Sequence, residues 1–224
     1  REPWGVVGQM IPWNFPLLMA AWKLAPAIAG GNTIVISPSS HTSLSILEFI
    51  RIIEDILPKG LINLVTGKGS VTGEYLQHHH GFDKLAFTGS TAIGRHIGVS
   101  AAENIIPATL ELGGKSAHVI FDDCDIDKAI EGTQLGILFN QGEVCSAGSR
   151  LFIQETIYDE FVEKLVKAFE HVKVGDPLDL ETQMGALRDK ERFAVLEKFI
   201  EKAKAAGGKV LTGGHPLTEN GLDK

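Results

Sequence analysis

Short apolar, β-branched runs alternate with helix-like stretches along the whole chain, and no other feature restricts its fold as much. Strand signals fall at Val6, Val7, Met10 and Ile11, then at residues 33–36, 61–65, 84–88 and 108–112. Between them lie apolar positions at helical spacing. Leu17, Leu18, Ala21, Leu24 and Ile28 follow Pro16 and stop at Gly30-Gly31. Leu44, Leu47, Ile50 and Ile53 stop before Pro58 and Gly60, and shorter helices are expected over 71–78 and 91–99. Such crossovers join parallel strands, so the fold class is α/β with a parallel sheet. A second cycle begins after Gly113-Gly114, where a boundary between two α/β units is expected. It comprises strands at 117–121 and 151–153 and a helix capped by Asp125. Another helix, opened by Thr156 with Asp159, carries Phe161, Leu165, Ala168 and Phe169 on one face. A last helix spans 192–206, and Val210-Leu211 reads as a strand.

Composition removes several function classes. A hydrophobic fraction of 44% with 22% charged residues belongs to a packed domain rather than a disordered chain. Lys and Arg number 21 against 28 Asp and Glu, a net charge of −7, and no basic stripe for nucleic acid is present. No apolar run approaches a membrane span, the longest being residues 17–21. Cys124 and Cys145 form no C-x-x-C pair and are too few to staple a secreted scaffold, which fits a reducing cytoplasm. The chain starts at Arg1 without methionine and ends in a polar stretch, 215–224, so it reads as part of a longer protein.

Four places can carry chemistry. Leu85-Ala86-Phe87-Thr88-Gly89-Ser90-Thr91-Ala92-Ile93-Gly94 reads as strand, glycine turn and helix start, an arrangement that holds phosphate on free backbone N–H groups. It is equally an ordinary turn with Ser or Thr as the N-cap. Gly67-Lys68-Gly69 carries the first two glycines of a dinucleotide fingerprint, but the third, Gly73, falls one residue late. Cys145 sits among small and polar neighbours in Phe139-Asn140-Gln141-Gly142-Glu143-Val144-Cys145-Ser146, open to a nucleophile or an inert loop thiol. Cys124 lies between Asp123 and Asp125, whose charges disfavour a thiolate. Glu111, between Leu110 and Leu112 at a strand end, reads either as a buried general base or as an ion pair with Lys115. His78-His79-His80 cannot converge on one metal centre, so no metal site is expected, and the G-x-S-x-G elbow of a serine hydrolase is missing.

Taken in order, these pieces resemble the aldehyde dehydrogenase superfamily over essentially the whole chain. Leu110-Glu111-Leu112-Gly113-Gly114-Lys115-Ser116 is similar to that family's glutamate motif, and residues 139–145 to its cysteine motif, with Glu143 where Gln is commoner. Pro12-Trp13-Asn14-Phe15-Pro16 and Phe87-Thr88-Gly89-Ser90-Thr91 complete the set. The resemblance implies a Rossmann-like parallel-sheet dinucleotide-binding domain over 1–113, followed by the start of an α/β catalytic domain over 114–224. It implies Cys145 as nucleophile, Glu111 as the base that activates water, Asn14 as oxyanion donor and Lys115 in a supporting role. The cofactor would lie near Trp13, Ser37, Ser40, Gly69, Gly89, Ser90, Gly94 and Leu112. Its substrate would be a small-molecule aldehyde, its cofactor NAD with NADP tolerated, and the full-length protein a homo-oligomer.

One departure bears on the cofactor. The family usually has Lys and then Glu, three residues apart, after the second strand; here those positions are Ser37 and Ser40. Two other readings stay on the page. A CoA-acylating semialdehyde dehydrogenase would have no use for Glu111 as a base. A non-catalytic dinucleotide-binding protein would not need Cys145, Glu111 and Asn14 together.

Overall fold

The computed structural model describes residues 2–218. It divides into two compact units, Arg1–Gly113 and Gly114–Lys224.

The first unit holds a parallel five-stranded sheet. Its strands are β1 (Val6–Met10), β2 (Thr33–Ser37), β3 (Ile62–Leu64), β4 (Lys84–Thr88) and β5 (Ala108–Glu111). Their spatial order is β3-β2-β1-β4-β5, and every pairing is parallel. Two cores, built from different helices, pack on the strands. Met19, Ala20 and Leu24 of α1 (Pro16–Ala29) and Ile46 of α2 (Leu44–Ile53) pack with Ile34 and Ile36 of β2. Leu76 of α3 (Glu74–His78) and Ile97 and Ala101 of α4 (Thr91–Glu103) pack with Met10, Leu85 and Phe87.

Proline opens α1 at its first turn, where a missing N–H costs nothing. Past its end, Gly31 takes φ +77 and delivers Asn32 to a buried position. The Asn32 carboxamide bonds through both its atoms. Its oxygen accepts from Trp4 N (2.6 Å) and Gly5 N (3.1 Å), and its nitrogen donates to Ala27 O (2.9 Å). That one side chain ties the entry of β1 to the end of α1. The helix expected over 71–78 begins instead with a wide turn at Gly69–Gly73, and regular α geometry starts only at Glu74.

In the second unit β6 (Ala117–Ile120) and β7 (Arg150–Ile153) pair in parallel. They are covered by α5 (Ile126–Leu138) and α6 (Tyr158–Glu170) around Ile130, Phe161 and Leu165. Phe161 is wholly buried, a contribution of about 3 kcal/mol. Asp125 caps α5 by accepting from Lys128 N, and Asp189 caps α7 (Lys190–Ala205) by accepting from Arg192 N. Two expectations change here. Thr156 does not cap α6: a tight 3-10 turn over Glu155–Ile157 precedes the helix and puts Ile157 at the cap position, while the Thr156 hydroxyl donates to Asp122 Oδ2 at 2.8 Å. Val210 and Leu211 form no strand, because two exposed residues gain too little from pairing to hold an extended ladder. Of the polar end, residues 219–224 lie outside the described residues. Among the described residues no helix is long and apolar enough to cross a membrane.

Candidate active site

Strand register gathers most of the expected site residues of the first unit along one edge of its sheet. Ser37, Met10, Phe87 and Leu110 lie in one row across β2, β1, β4 and β5. Trp13 and Asn14 follow that row at the end of β1, and Ser40 follows it after β2. Gly89 and Ser90 follow it after β4, and Glu111 and Leu112 at the end of β5. Gly69 begins the turn after β3. Strand order reverses between β1 and β4, because β1 connects towards β2 and β3 while β4 connects towards β5. In an open parallel sheet the crevice at such a reversal is where a ligand docks. Trp13, Asn14, Gly89 and Ser90 stand at it.

Individual placements refine the expectations. Gly89 N–H donates to Glu111 O at 3.0 Å, and a Cβ on Gly89 would meet Phe87 Cζ at 2.5 Å. Its lack of a side chain therefore makes room for the Phe87 ring. The Ser90 hydroxyl accepts from Ile93 N at 3.4 Å as the N-cap of α4. The first N–H groups of that helix, Thr91 and Ala92, have no intrahelical acceptor and face its open end. Gly94 is buried, and the Leu112 side chain occupies the space a Cβ there would need. These two residues pack helix to strand and present nothing polar. Gly69 has open space around its Cα. Ser37 is buried at the end of β2, and its carbonyl accepts from Ile11 N, whereas Ser40 is exposed.

Glu111 corrects one expectation: within its unit it is exposed, not buried. Strand alternation explains this, since Leu110 and Leu112 turn together onto the α3/α4 core and Glu111 faces the other way. On that opposite side lies a residue that motif reading missed. Burial pushes the Lys23 ammonium on α1 down to about 8, and the Glu111 charge partly offsets the shift. Lys23 O also accepts from the buried Gln9 carboxamide at 2.8 Å. The signal was a lysine inside the apolar face of α1.

The second unit carries Lys115 and Cys145. Lys115 Nζ donates to Gly114 O at 2.9 Å. Cys145 is an exposed, free thiol. A Cβ on Gly114 would lie 2.6 Å from Cys145 O, so Gly114 lets the cysteine backbone pass close. Its neighbours Val144 and Ser146 line a cavity of about 400 Å³ with His118, Leu135, Phe139 and Ala147. The loop leading to it is unusual: Asn140 (φ 49), Gln141 (φ 57) and Gly142 (φ 72) are consecutive left-handed residues. Cys124, also free, is partly buried at a turn where its N–H donates to Phe121 O. The histidines have separate partners: His78 meets Glu74, His80 meets Asn104, and His79 packs between Tyr75 and Phe82.

Comparison with known proteins adds the family. The model described as "Aldehyde dehydrogenase family" matches residues 1–224. An aldehyde dehydrogenase of Vibrio cholerae serotype O1 is 51% identical, with 96% of this chain and 44% of that protein covered. Among solved structures, the NAD+ complex of an aldehyde dehydrogenase from Bacillus cereus superposes with a TM-score of 0.95 at 44% identity, covering 98% of this chain and 45% of that one. Betaine aldehyde dehydrogenase from Staphylococcus aureus, in complex with NAD+, gives a TM-score of 0.97 at 40% identity, covering 99% and 44%. The chain thus spans somewhat less than half the length of these relatives.

Proposed function

The chain belongs to the aldehyde dehydrogenase family, and from that premise we propose that the complete protein oxidises an aldehyde to a carboxylic acid with NAD as hydride acceptor. The observation that carries this reading is an exposed free thiol, Cys145, on a shaped loop inside the motif that matches the family. Cys145, as thiolate, adds to the aldehyde carbonyl. The Asn14 amide and the Cys145 backbone N–H stabilise the alkoxide that forms, as donors fixed where charge develops. A bound dinucleotide would supply the hydride acceptor, and loss of hydride from the adduct carbon would leave a thioester on Cys145. Glu111 then removes a proton from water, whose oxygen displaces the thiolate and yields the acid. The exposure of Glu111 in its own unit gives water a way to reach it. Lys115 supports the charge balance of the proton path.

The first unit fits a dinucleotide. Its strand order creates a crevice between β1 and β4, and the open N-terminus of α4 lies at that crevice to hold phosphate. Trp13, Gly89 and Ser90 would hold the pyrophosphate region, and Ser37, Ser40 and Gly69 the adenosine side. With no carboxylate at Ser40 to repel a 2′-phosphate, and no cation at Ser37 to attract one, NAD use with weak discrimination against NADP follows. A free reactive thiol suits a reducing cytoplasm, and self-assembly of the complete protein is the expectation carried from the family.

Glu111→Gln in the complete protein tests the reading. Deacylation should slow by about 10²-fold or more, giving a burst of NADH and then a stalled steady state. An unchanged steady-state rate would assign water activation to another base.

A further inference from the structure

The three left-handed residues ahead of Cys145 raise a physical question. Asn140 and Gln141 each carry a Cβ, and holding a non-glycine residue left-handed costs about 1 kcal/mol or more. Some other contact has to hold the loop in that shape. Two such contacts come from one segment, the approach to α7. The Gln141 carboxamide, oriented so that both its atoms are satisfied, accepts from Gly185 N at 3.2 Å and donates to Asn140 O at 3.0 Å. Gly185 is buried, and a Cβ there would sit 3.1 Å from the end of the Gln141 side chain.

Two residues further on, the Glu143 side chain is only 7% exposed, with Oε1 3.6 Å from Arg192 Nε. The Arg188 backbone also bonds this carboxylate. Arg188 Nε donates to Asp189 Oδ2 at 2.5 Å, and Asp189 Oδ1 accepts from Arg192 N at 2.8 Å. Glu143, Arg188, Asp189 and Arg192 thus close a ring at the N-terminus of α7. Burial raises the Glu143 carboxyl above its ordinary range, while Arg192 and Arg188 pull it back.

We propose that Gly185–Arg192 clamps the loop that carries Cys145, and that Glu143 and Arg192 are positioning residues for the nucleophile. The proposal rests on the reading of Cys145 as nucleophile. It explains why a carboxylate is buried two residues from a thiol that must become an anion: Arg192 and Arg188 balance its charge, and its contacts hold the loop.

The test uses Glu143→Gln, Arg192→Gln and the double variant in the complete protein, with Arg192→Lys as the conservative replacement. Amide exchange of peptides covering 139–148 reads the loop directly, without activity. Each single variant should speed exchange there by about tenfold, and the double should be no faster than the worse single. The rate of the NADH burst should fall by about tenfold while KM for the aldehyde stays within about twofold, and Arg192→Lys should recover most of both. Unchanged loop exchange, or additive effects of the two singles, overturns the clamp. So does a drop in melting temperature without change in the burst. Full activity in Cys145→Ser would instead overturn the assignment of the nucleophile, and the exchange data keep the two failures distinguishable.

Discussion

The two units place their candidate functional groups in different ways. In the first, Trp13, Asn14, Ser37, Gly89 and Glu111 stand at or just past one row of a parallel sheet, positioned by register and by short turns. In the second, Cys145 follows a run of left-handed backbone contacted by the Gly185 N–H and the Arg192 side chain, from a segment more than forty residues away. Register tolerates change at single side chains, because backbone ladders define it. A loop shaped by a few polar contacts does not. Substitutions should therefore act steeply and on rate in the second unit, and gradually and on binding or stability in the first.

The harshest way to break this comparison is at the two thiols of the second unit. Cys145→Ser in the complete protein should lower kcat by about 10³-fold or more, since the covalent route is lost. Cys124→Ser, at a partly buried turn between aspartates, should stay within about twofold of the parent. Iodoacetamide labelling read by mass spectrometry should modify Cys145 first. Preferential labelling of Cys124 would assign the chemistry to the wrong loop and remove the contrast.

A milder effect is expected at the sheet edge. Ser40→Glu returns a carboxylate to an exposed position beyond β2, where it can accept from ribose hydroxyls and repel a 2′-phosphate. The NAD/NADP ratio of kcat/KM should rise by about tenfold, or roughly 1.4 kcal/mol, with kcat for NAD nearly unchanged. A parent protein that already rejects NADP strongly, or an unaltered ratio in the variant, would place cofactor choice elsewhere.

What could be read from the residues follows the same division. The alternation of strands and helices was plain because it repeats locally, and the cysteine and glutamate motifs are contiguous. Strand order was not legible: the reversal between β1 and β4 depends on which helices cover which strands. The burial of Glu111 is not legible locally: two flanking leucines suggest a buried strand, although period-two alternation turns Glu111 away from both. Asn32, just past Gly30-Gly31, carries no local signal, yet it is a buried staple bonded to Trp4 N, Gly5 N and Ala27 O. The Glu143–Arg192 contact joins residues far apart in the chain, and no local pattern announces it.

The smallest effect concerns strain without a clamp, and it sharpens the comparison most. After α4 the chain turns through Ile105 at φ 56, with Ile105 N donating to Ala102 O and Ile106 N to Ala101 O. These are the paired bonds of a Schellman ending, whose left-handed position is normally glycine. A β-branched residue there is a steric outlier, and the Ile105 side chain is 91% exposed, so its packing returns almost nothing. Ile106, next in line, packs on the α3/α4 core and keeps the turn in register. Ile105→Gly should relieve the left-handed cost and lose some unfolded-state stiffness, for a net gain of about 1 kcal/mol. Thermal unfolding of the complete protein, roughly twice this length if like its relatives, should shift up by about 1 °C, with kcat and KM unaltered. The equivalent relief in the second unit, at Gln141, would cost the Gly185 contact and should slow the reaction instead. If Ile105→Gly destabilises the complete protein, its side chain is covered there by another part of the molecule. The first unit would then hold its strained turn as the second does, by contacts made from a distance.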